Sequence, residues 1–453
     1  MTERQQLLAE AVESSRQMIV DAERWLWAHP QTGFTEWEAN AYLTQRFEAL
    51  GYQLTQAGNI PGFYTDIDTG RPGPTLCILA ELDALDAAGH PAAVNGMAHC
   101  CGHHAQGAIL LGVAAALKQP GALDGLSGII RLMTVPAEEL TQYAFREELR
   151  AKGVIHYTGG KAELMYRGFF DGVDLALMIH VATDPGLDFA CLAGYNGSIA
   201  KTVVYKGRAT HAADSPHLGI NAQYAAMLGL QACNALRETF REQDFVRFHP
   251  VMDSAGCAVS VIPSEIRIES KVRGRTVEAI RRENQKINRA LTGAALAMGA
   301  ELEIHDKPGY FPENLDPALM RLVEQCCVDL SGTDKVSFQY DRYSTASTDF
   351  GELTTVMPGV QLHVCGAVGS LHAADFGIPD PERLCLNGAK AQMLAANALL
   401  SNEAAAAKKI VANYRPLCPT FKDYFAAVES FFLDKEAVVY GEDGTVTVDF
   451  KNH

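Results

Sequence analysis

No apolar run in this chain reaches the roughly 20 residues that a membrane-spanning helix requires, so a membrane-embedded protein is not expected. Residues 1–17 are charged and lack an apolar core, so no signal peptide is expected either. Positive charge is scarce: 38 Lys and Arg stand against 54 Asp and Glu, a formal net charge of −16. With a pI near 5.3, that balance argues against nucleic acid or an anionic membrane as the main partner. An anionic small substrate is still allowed, because a pocket can be locally basic. The 11 cysteines are odd in number and scattered, unlike a disulfide framework. Repeats and low-complexity linkers are also missing. These absences leave an ordinary soluble protein of a reducing cytoplasm as the expectation.

What is present is enough chain for two domains: 453 residues, 48% of them hydrophobic. The densest chemistry lies in Met97-Ala98-His99-Cys100-Cys101-Gly102-His103-His104, which runs directly into an apolar helical pattern over 105–118. Alternate positions of an extended turn point the same way, so Cys101 and His103 can face one ion while Gly102 lets the backbone bend between them. Thiolate and imidazole suit zinc and related transition metals. The alternative is a pair of buried thiols beside surface histidines.

In chain order, the spacing predicts helices over 4–30 and 35–50, the second stopped by Gly51, then short β segments over 52–57 and 62–68. Three apolar runs follow, 75–80, 128–135 and 173–179, each reading as a strand buried on both faces. Their ends carry Glu81-Leu82-Asp83, Glu138-Glu139 and His180, and α/β folds build sites at such ends. Residues 140–168 are polar and helix-prone, broken at Gly159-Gly160. From about Gly194 the pattern becomes β-α-β-α-β: a strand over 198–207, a helix over 221–239, a long β stretch over 258–273, a helix over 276–298 and a strand over 301–305. That order suggests a separate small sandwich of helices on an antiparallel sheet. Afterwards come a helix over 315–330, a polar turn over 344–351 with Asp349, a strand over 360–364, His372, and a helix over 381–400. The tail from 404 holds an Ala/Lys segment, an aromatic amphipathic helix over 421–433 and a β-like run over 445–450, with no role legible.

Several of these pieces share an order with a known family. They are Trp27-Ala28-His29-Pro30 with Gly33-Phe34, Pro72-Gly73-Pro74-Thr75 leading to Asp83-Ala84-Leu85, and His99-Cys100-Cys101-Gly102-His103. Pro136-Ala137-Glu138-Glu139 follows, then His211-Ala212-Ala213 with Pro216, Gly219 and Asn221, then Ser347-Thr348-Asp349-Phe350-Gly351 and Leu371-His372. From about Arg24 to about residue 400 the chain resembles the dinuclear metallopeptidase family of the aminoacylases and glutamate carboxypeptidases. Within it, the nearest branch is the amidohydrolases that include aminobenzoyl-glutamate and auxin-conjugate hydrolases.

The resemblance implies an α/β chain with a mixed-sheet catalytic domain of zinc-exopeptidase type, residues 1–193 and 306–453. An inserted smaller α+β (ferredoxin-like) lid and dimerisation domain would occupy residues 194–305. Two divalent metal ions, zinc or manganese with cobalt also compatible, would be held by Cys101, His103, Glu139, His180 and His372. Glu138 would be the general base and Asp83 a carboxylate orienting a ligand. His211 would reach the active site of a partner subunit in a homodimer or larger homo-oligomer, and Arg273 would bind a substrate carboxylate. Asn221 and Ser260 would also contact substrate.

Some positions depart from the family pattern. His104 replaces an Asp or Asn, Leu140-Thr141-Gln142 a Gly-rich segment, Ser260 an Asn that polarises the carbonyl, and Lys271 an Asp. The departures surround the substrate rather than the metals. Cys100, Cys257, Cys326 and Cys327 read as core thiols, and His99 and His104 as neighbours of the site. The expected activity is hydrolysis of the amide of a small N-acyl or N-aroyl amino acid or dipeptide-like molecule. The rivals are a metal-dependent hydrolase of an aryl amine or carbamate, and a catalytically silent partner subunit.

Overall fold

The computed structural model describes residues 1–253 and 258–451; Cys257 lies outside the described residues. The chain divides into two compact units. One comprises Met1–Ala193, Asn314–Arg342 and Glu352–Leu417, the other Gly194–Glu313, Tyr343–Gly351 and Cys418–His453.

The first unit is built on an eight-stranded mixed sheet. Every residue of strand Thr75–Glu81 is buried. It lies between Ile129–Val135 and Leu175–Ala182 and is parallel to both. A strand flanked this way has both faces covered, which is why it is apolar throughout rather than alternating. Gly359–Cys365 extends the parallel set beyond Leu175–Ala182. Antiparallel pairings set Phe63–Asp68 on Ile129–Val135, Thr55–Gln56 beyond it, and Phe189–Tyr195 on Gly359–Cys365; Val336–Ser344 is outermost on that last side. Because the central strands run in parallel, Glu81, the turn after Val135 and His180 gather toward one end of the sheet.

Helix His103–Leu117 is buried at every position, and a helix apolar all round belongs in the centre of a unit. The expected helix over 4–30 is two helices, Glu3–Glu13 and Arg16–Trp27, separated at Ser14 and Ser15. Thr2 and Gln5 form a capping box on the first. Helical structure from Pro381 runs on to Asn413, but Asn402, Glu403 and Ala404 take left-handed φ values, so the first stretch ends near residue 400. No helix among the described residues is long and apolar enough to cross a membrane.

The second unit corrects the expected β-α-β-α-β order. The β stretch expected over 258–273 is a shorter strand, Glu265–Gly274, and an unexpected strand, Arg247–Asp253, pairs with it antiparallel. The sheet order is Arg247–Asp253, Glu265–Gly274, Gly197–Lys206, Glu301–Pro308, Leu433–Tyr440, Val446–Val448. Every pairing is antiparallel. With helices Ala222–Ala235 and Val277–Met298 the first four strands make a β-α-β-β-α-β, ferredoxin-like unit. Its core joins Val203, Tyr205, Ile266 and Ile268 to Ile287 and Leu291. Glu265–Gly274 alternates between buried and more exposed positions, as a one-sided strand should. The tail, assigned by sequence to the catalytic unit, instead contributes the last two strands of this sheet through Leu433–Tyr440 on Glu301–Pro308.

Candidate metal centre

Gly102 starts the site. Its φ of +87° is a left-handed conformation, and a Cβ there would lie 2.8 Å from the Val181 side chain. Glycine alone combines that turn with that approach, and the turn sets Cys101 before the helix and His103 at its first position. Cys101 Sγ is 3.4 Å from His180 Nε2 and 3.4 Å from His372 Nε2. His372 Nε2 is 2.9 Å from Glu139 Oε1. His372 has a φ of +65°, unusual for a residue with a Cβ, and its N–H donates to the Cys100 carbonyl. Strain of this kind is held in place where a side chain must point a set way.

The outer nitrogens of the histidines are anchored. His103 Nδ1 lies 2.9 Å from the Asp83 carbonyl and 3.1 Å from Asp83 Oδ1, while the other Asp83 oxygen accepts from the Glu139 backbone N–H at 2.8 Å. His180 Nδ1 lies 2.9 Å from the Val181 carbonyl. Both imidazoles thus turn Nε2 inward, the arrangement that ligand histidines use. Two donor triplets result, Cys101–His103–His180 and Cys101–Glu139–His372, with ligand atoms within 4.8 Å of one another in each and Cys101 shared. A third triplet is His103–Glu138–Glu139.

A thiol, imidazoles and carboxylates are a donor set that fits divalent transition metals. Burial, with the Glu139 carboxylate, pushes the Cys101 thiol well above 9 against the pull of His103. A thiolate there would require a cation beside it. His103 Nε2 is buried, with Glu81 Oε2 3.2 Å away but no hydrogen bond of good geometry. The residues therefore fit two divalent ions.

The Glu138–Glu139 turn follows strand Ile129–Val135, and both glutamates are largely buried. Ala137, with φ +57°, bends the chain there, and its N–H donates to the buried Glu36 carboxylate at 2.7 Å. Arg146, buried on helix Tyr143–Ala151, donates to the Thr141 carbonyl at 2.9 Å and to the carbonyls of Ala137, Glu139 and Thr158. Glu81, at the end of its strand, pairs with Lys161 at 2.6 Å. Burial raises its carboxyl, but Lys161 and His103 outweigh that and hold it down at about 2. Glu36, Arg146 and Lys161 drew no role from the sequence. The available signals were Glu81-Leu82-Asp83 at a strand end and a lysine directly after Gly159-Gly160.

The neighbours His99 and His104 are buried, with ring centroids 5.2 Å apart. His104 Nε2 is 3.3 Å from Glu23 Oε1. Burial, aided by His103, drives His104 down to about 3, and burial lifts Glu23 to about 7. Cys100, Cys326 and Cys327 are free and buried.

His211, Asn221, Ser260 and Arg273 all belong to the second unit. His211 is exposed, and its Nδ1 accepts from the N–H groups of Ala213 and Asp214. The Ser260 carbonyl accepts from Ala212, and His211 bridges to Val261, so Ser260 and the His211 turn are neighbours. Asn221 caps helix Ala222–Ala235, its side chain accepting from Tyr224 N–H. Arg273 donates to Ser347 Oγ at 2.8 Å.

The family described as peptidase family M20/M25/M40 matches residues 77–396. The chain is 29% identical over 315 residues to one of the subunits of p-aminobenzoyl-glutamate hydrolase from Escherichia coli, covering 67% of this chain and 60% of that one. It is 31% identical over 284 residues to indole-3-acetyl-aspartic acid hydrolase of Enterobacter agglomerans, covering 59% and 60%. The matched stretch thus spans 60% of the length of each relative. A Bacillus subtilis structure, described as a dinuclear metal-binding peptidase of the M20 family, superposes with a TM-score of 0.64 at 20% identity, over 85% of this chain and 98% of that one. That likeness establishes the fold.

Proposed function

Since the chain belongs to peptidase family M20/M25/M40, we propose that it is a metal-dependent amidohydrolase of two divalent ions, acting on a small N-acyl or N-aroyl amino acid or a dipeptide-like amide. The observation that carries this reading is the pair of donor triplets sharing Cys101, with Glu138 close to His103 and Glu139. Hydrolase relatives of aminobenzoyl and indole-acetyl amino acids support it.

Cys101, His103, Glu139, His180 and His372 would hold the ions. Zinc or manganese, with cobalt also compatible, would supply Lewis-acid polarisation and bring the pKa of a water toward about 7. Glu138 would take the proton of that water and deliver it to the leaving nitrogen. Asp83 would keep His103 Nδ1 engaged so that Nε2 faces inward. His211 would donate to the developing oxyanion in a partner subunit, an interaction worth about 10²–10³ in rate. Arg273 would bind the substrate carboxylate, with Asn221 and Ser260 nearby on the substrate path.

The test is amine release from N-acetyl, N-benzoyl, aminobenzoyl and β-alanyl amino acids by zinc- and manganese-loaded protein beside a chelator-stripped blank. Metal-dependent release, abolished by Glu138→Gln with metal still bound, is the expected result. Two bound ions with no release from any member would shift the reading to an aryl amine or carbamate; no bound ion would leave a silent scaffold.

A further inference from the structure

We propose that Glu81, anchored by Lys161 and Gln106, is a further carboxylate of the metal centre, acting as its anionic neighbour on the His103 side. The inference rests on the two-ion reading above.

Two side chains fix the carboxylate. Lys161 Nζ donates to Oε1 at 2.6 Å, and Gln106 Nε2 donates to Oε2 at 2.7 Å. The Glu81 peptide N–H in turn donates to Gln106 Oε1 at 3.1 Å. Gln106 lies three residues after His103 on the same helix face, so one helix orients both groups. The consequence is that Oε2 stands 3.2 Å from His103 Nε2. That is the nitrogen left to a metal, because Asp83 engages Nδ1.

Lys161 reaches this place through a close backbone approach. A Cβ on the preceding Gly160 would lie 1.5 Å from the Pro136 carbonyl oxygen, so no other residue could bring the helix Gly160–Tyr166 in at this distance. Both side chains of the Lys161–Glu81 pair are fully buried. A buried pair of this kind typically does no better for stability than well-packed apolar residues. A second duty for the anion explains its presence, and its second oxygen, held by Gln106, meets the inward nitrogen of His103.

The test is the double variant Glu81→Gln/Lys161→Met, which leaves neither charge unpaired. Zn²⁺ and Mn²⁺ dissociation constants are read by competition with a chromophoric chelator on the full chain, with folding followed by circular dichroism. The expected result is a folded protein that binds metal at least about tenfold more weakly, the lower end of what supporting groups around a metal contribute. Equal affinity in the double variant and the wild type overturns the proposal and leaves the two-ion reading standing. A wild type that binds no divalent ion removes that reading, and this one with it. If the double variant does not fold, Glu81→Asp decides: it keeps the charge for Lys161 but withdraws the oxygen from His103. Weaker metal binding then supports the role, and wild-type binding overturns it.

Discussion

Asp83 shows how one side chain serves two ligands. One oxygen faces His103 Nδ1 and the other accepts the Glu139 backbone N–H. In Asp83→Asn the amide must turn its NH₂ toward one of these donors, whichever way it flips, so one hydrogen bond becomes a repulsion. Metal affinity should fall by roughly 10- to 100-fold with the fold retained, read by metal titration; an unchanged dissociation constant would show that Asp83 does not orient the ligands. Glu23 gives a pH prediction. Its carboxyl rises from 4.5 to about 7 because burial disfavours the charge. The folded state therefore binds more protons than the unfolded one between those values, and stability falls as pH rises through that window. The ionisation cost well above pH 7 is on the order of 3 kcal/mol. Glu23→Gln removes it, so the variant should gain melting temperature over wild type at pH 8 and gain little at pH 4.5. Parallel pH profiles for the two proteins would count against a buried, reluctant carboxylate at this position.

At the scale of elements, segment 140–166 splints the turn that carries Glu138 and Glu139. Helix Tyr143–Ala151 delivers Arg146 beneath it, where the guanidinium serves the carbonyls of Ala137, Glu139, Thr141 and Thr158. Arg146→Met keeps the bulk and strands those acceptors, at a cost of at least about 3 kcal/mol if each loses even a modest bond. Urea unfolding should show that loss, and proteolysis should cut first within 140–158; a midpoint like that of the wild type would leave the splint without support. Sequence legibility follows the same physics. The central strands were readable because burial on both faces leaves an uninterrupted apolar run, as in Thr75–Glu81. Phe189–Tyr195 was not, because only Asn196 separates it from Gly197–Lys206, so no turn signal sets it apart from the strand expected over 198–207. Val336–Ser344 was hidden by being an outer strand, polar and partly exposed along its length. The Cys/His turn and the strand-end acids were legible, since their residue types announce chemistry. Arg146, Lys161 and Glu36 were not, because a charge looks solvated until the fold shows it buried.

Across the whole molecule, the second unit carries an apolar stripe that its own core does not use. Helix Ala222–Ala235 buries Ala222, Ala225, Ala226, Gly229 and Cys233. On its other side Tyr224, Met227 and Leu228 are 59%, 47% and 41% exposed. Spacings of three and four residues put these side chains on one face. Strand Arg247–Asp253 is at the end of its sheet with Val251 exposed, so it offers an unpaired edge as well. An apolar face and an open edge are both features of association surfaces, and a second copy of the same unit would cover them. A homodimer through this unit is therefore the expected assembly. The net charge of −16 opposes it, so dimerisation should tighten as salt screens that repulsion. Sedimentation of the wild type should give a dimer, more stable at high salt. Tyr224→Glu/Met227→Glu should give a monomer that still binds the same number of metal ions per chain, because neither residue belongs to the donor set. If the variant stays dimeric, the stripe is not the interface. If the wild type is monomeric at every salt concentration, a role for His211 in a partner's site falls as well, because no partner is there to receive it.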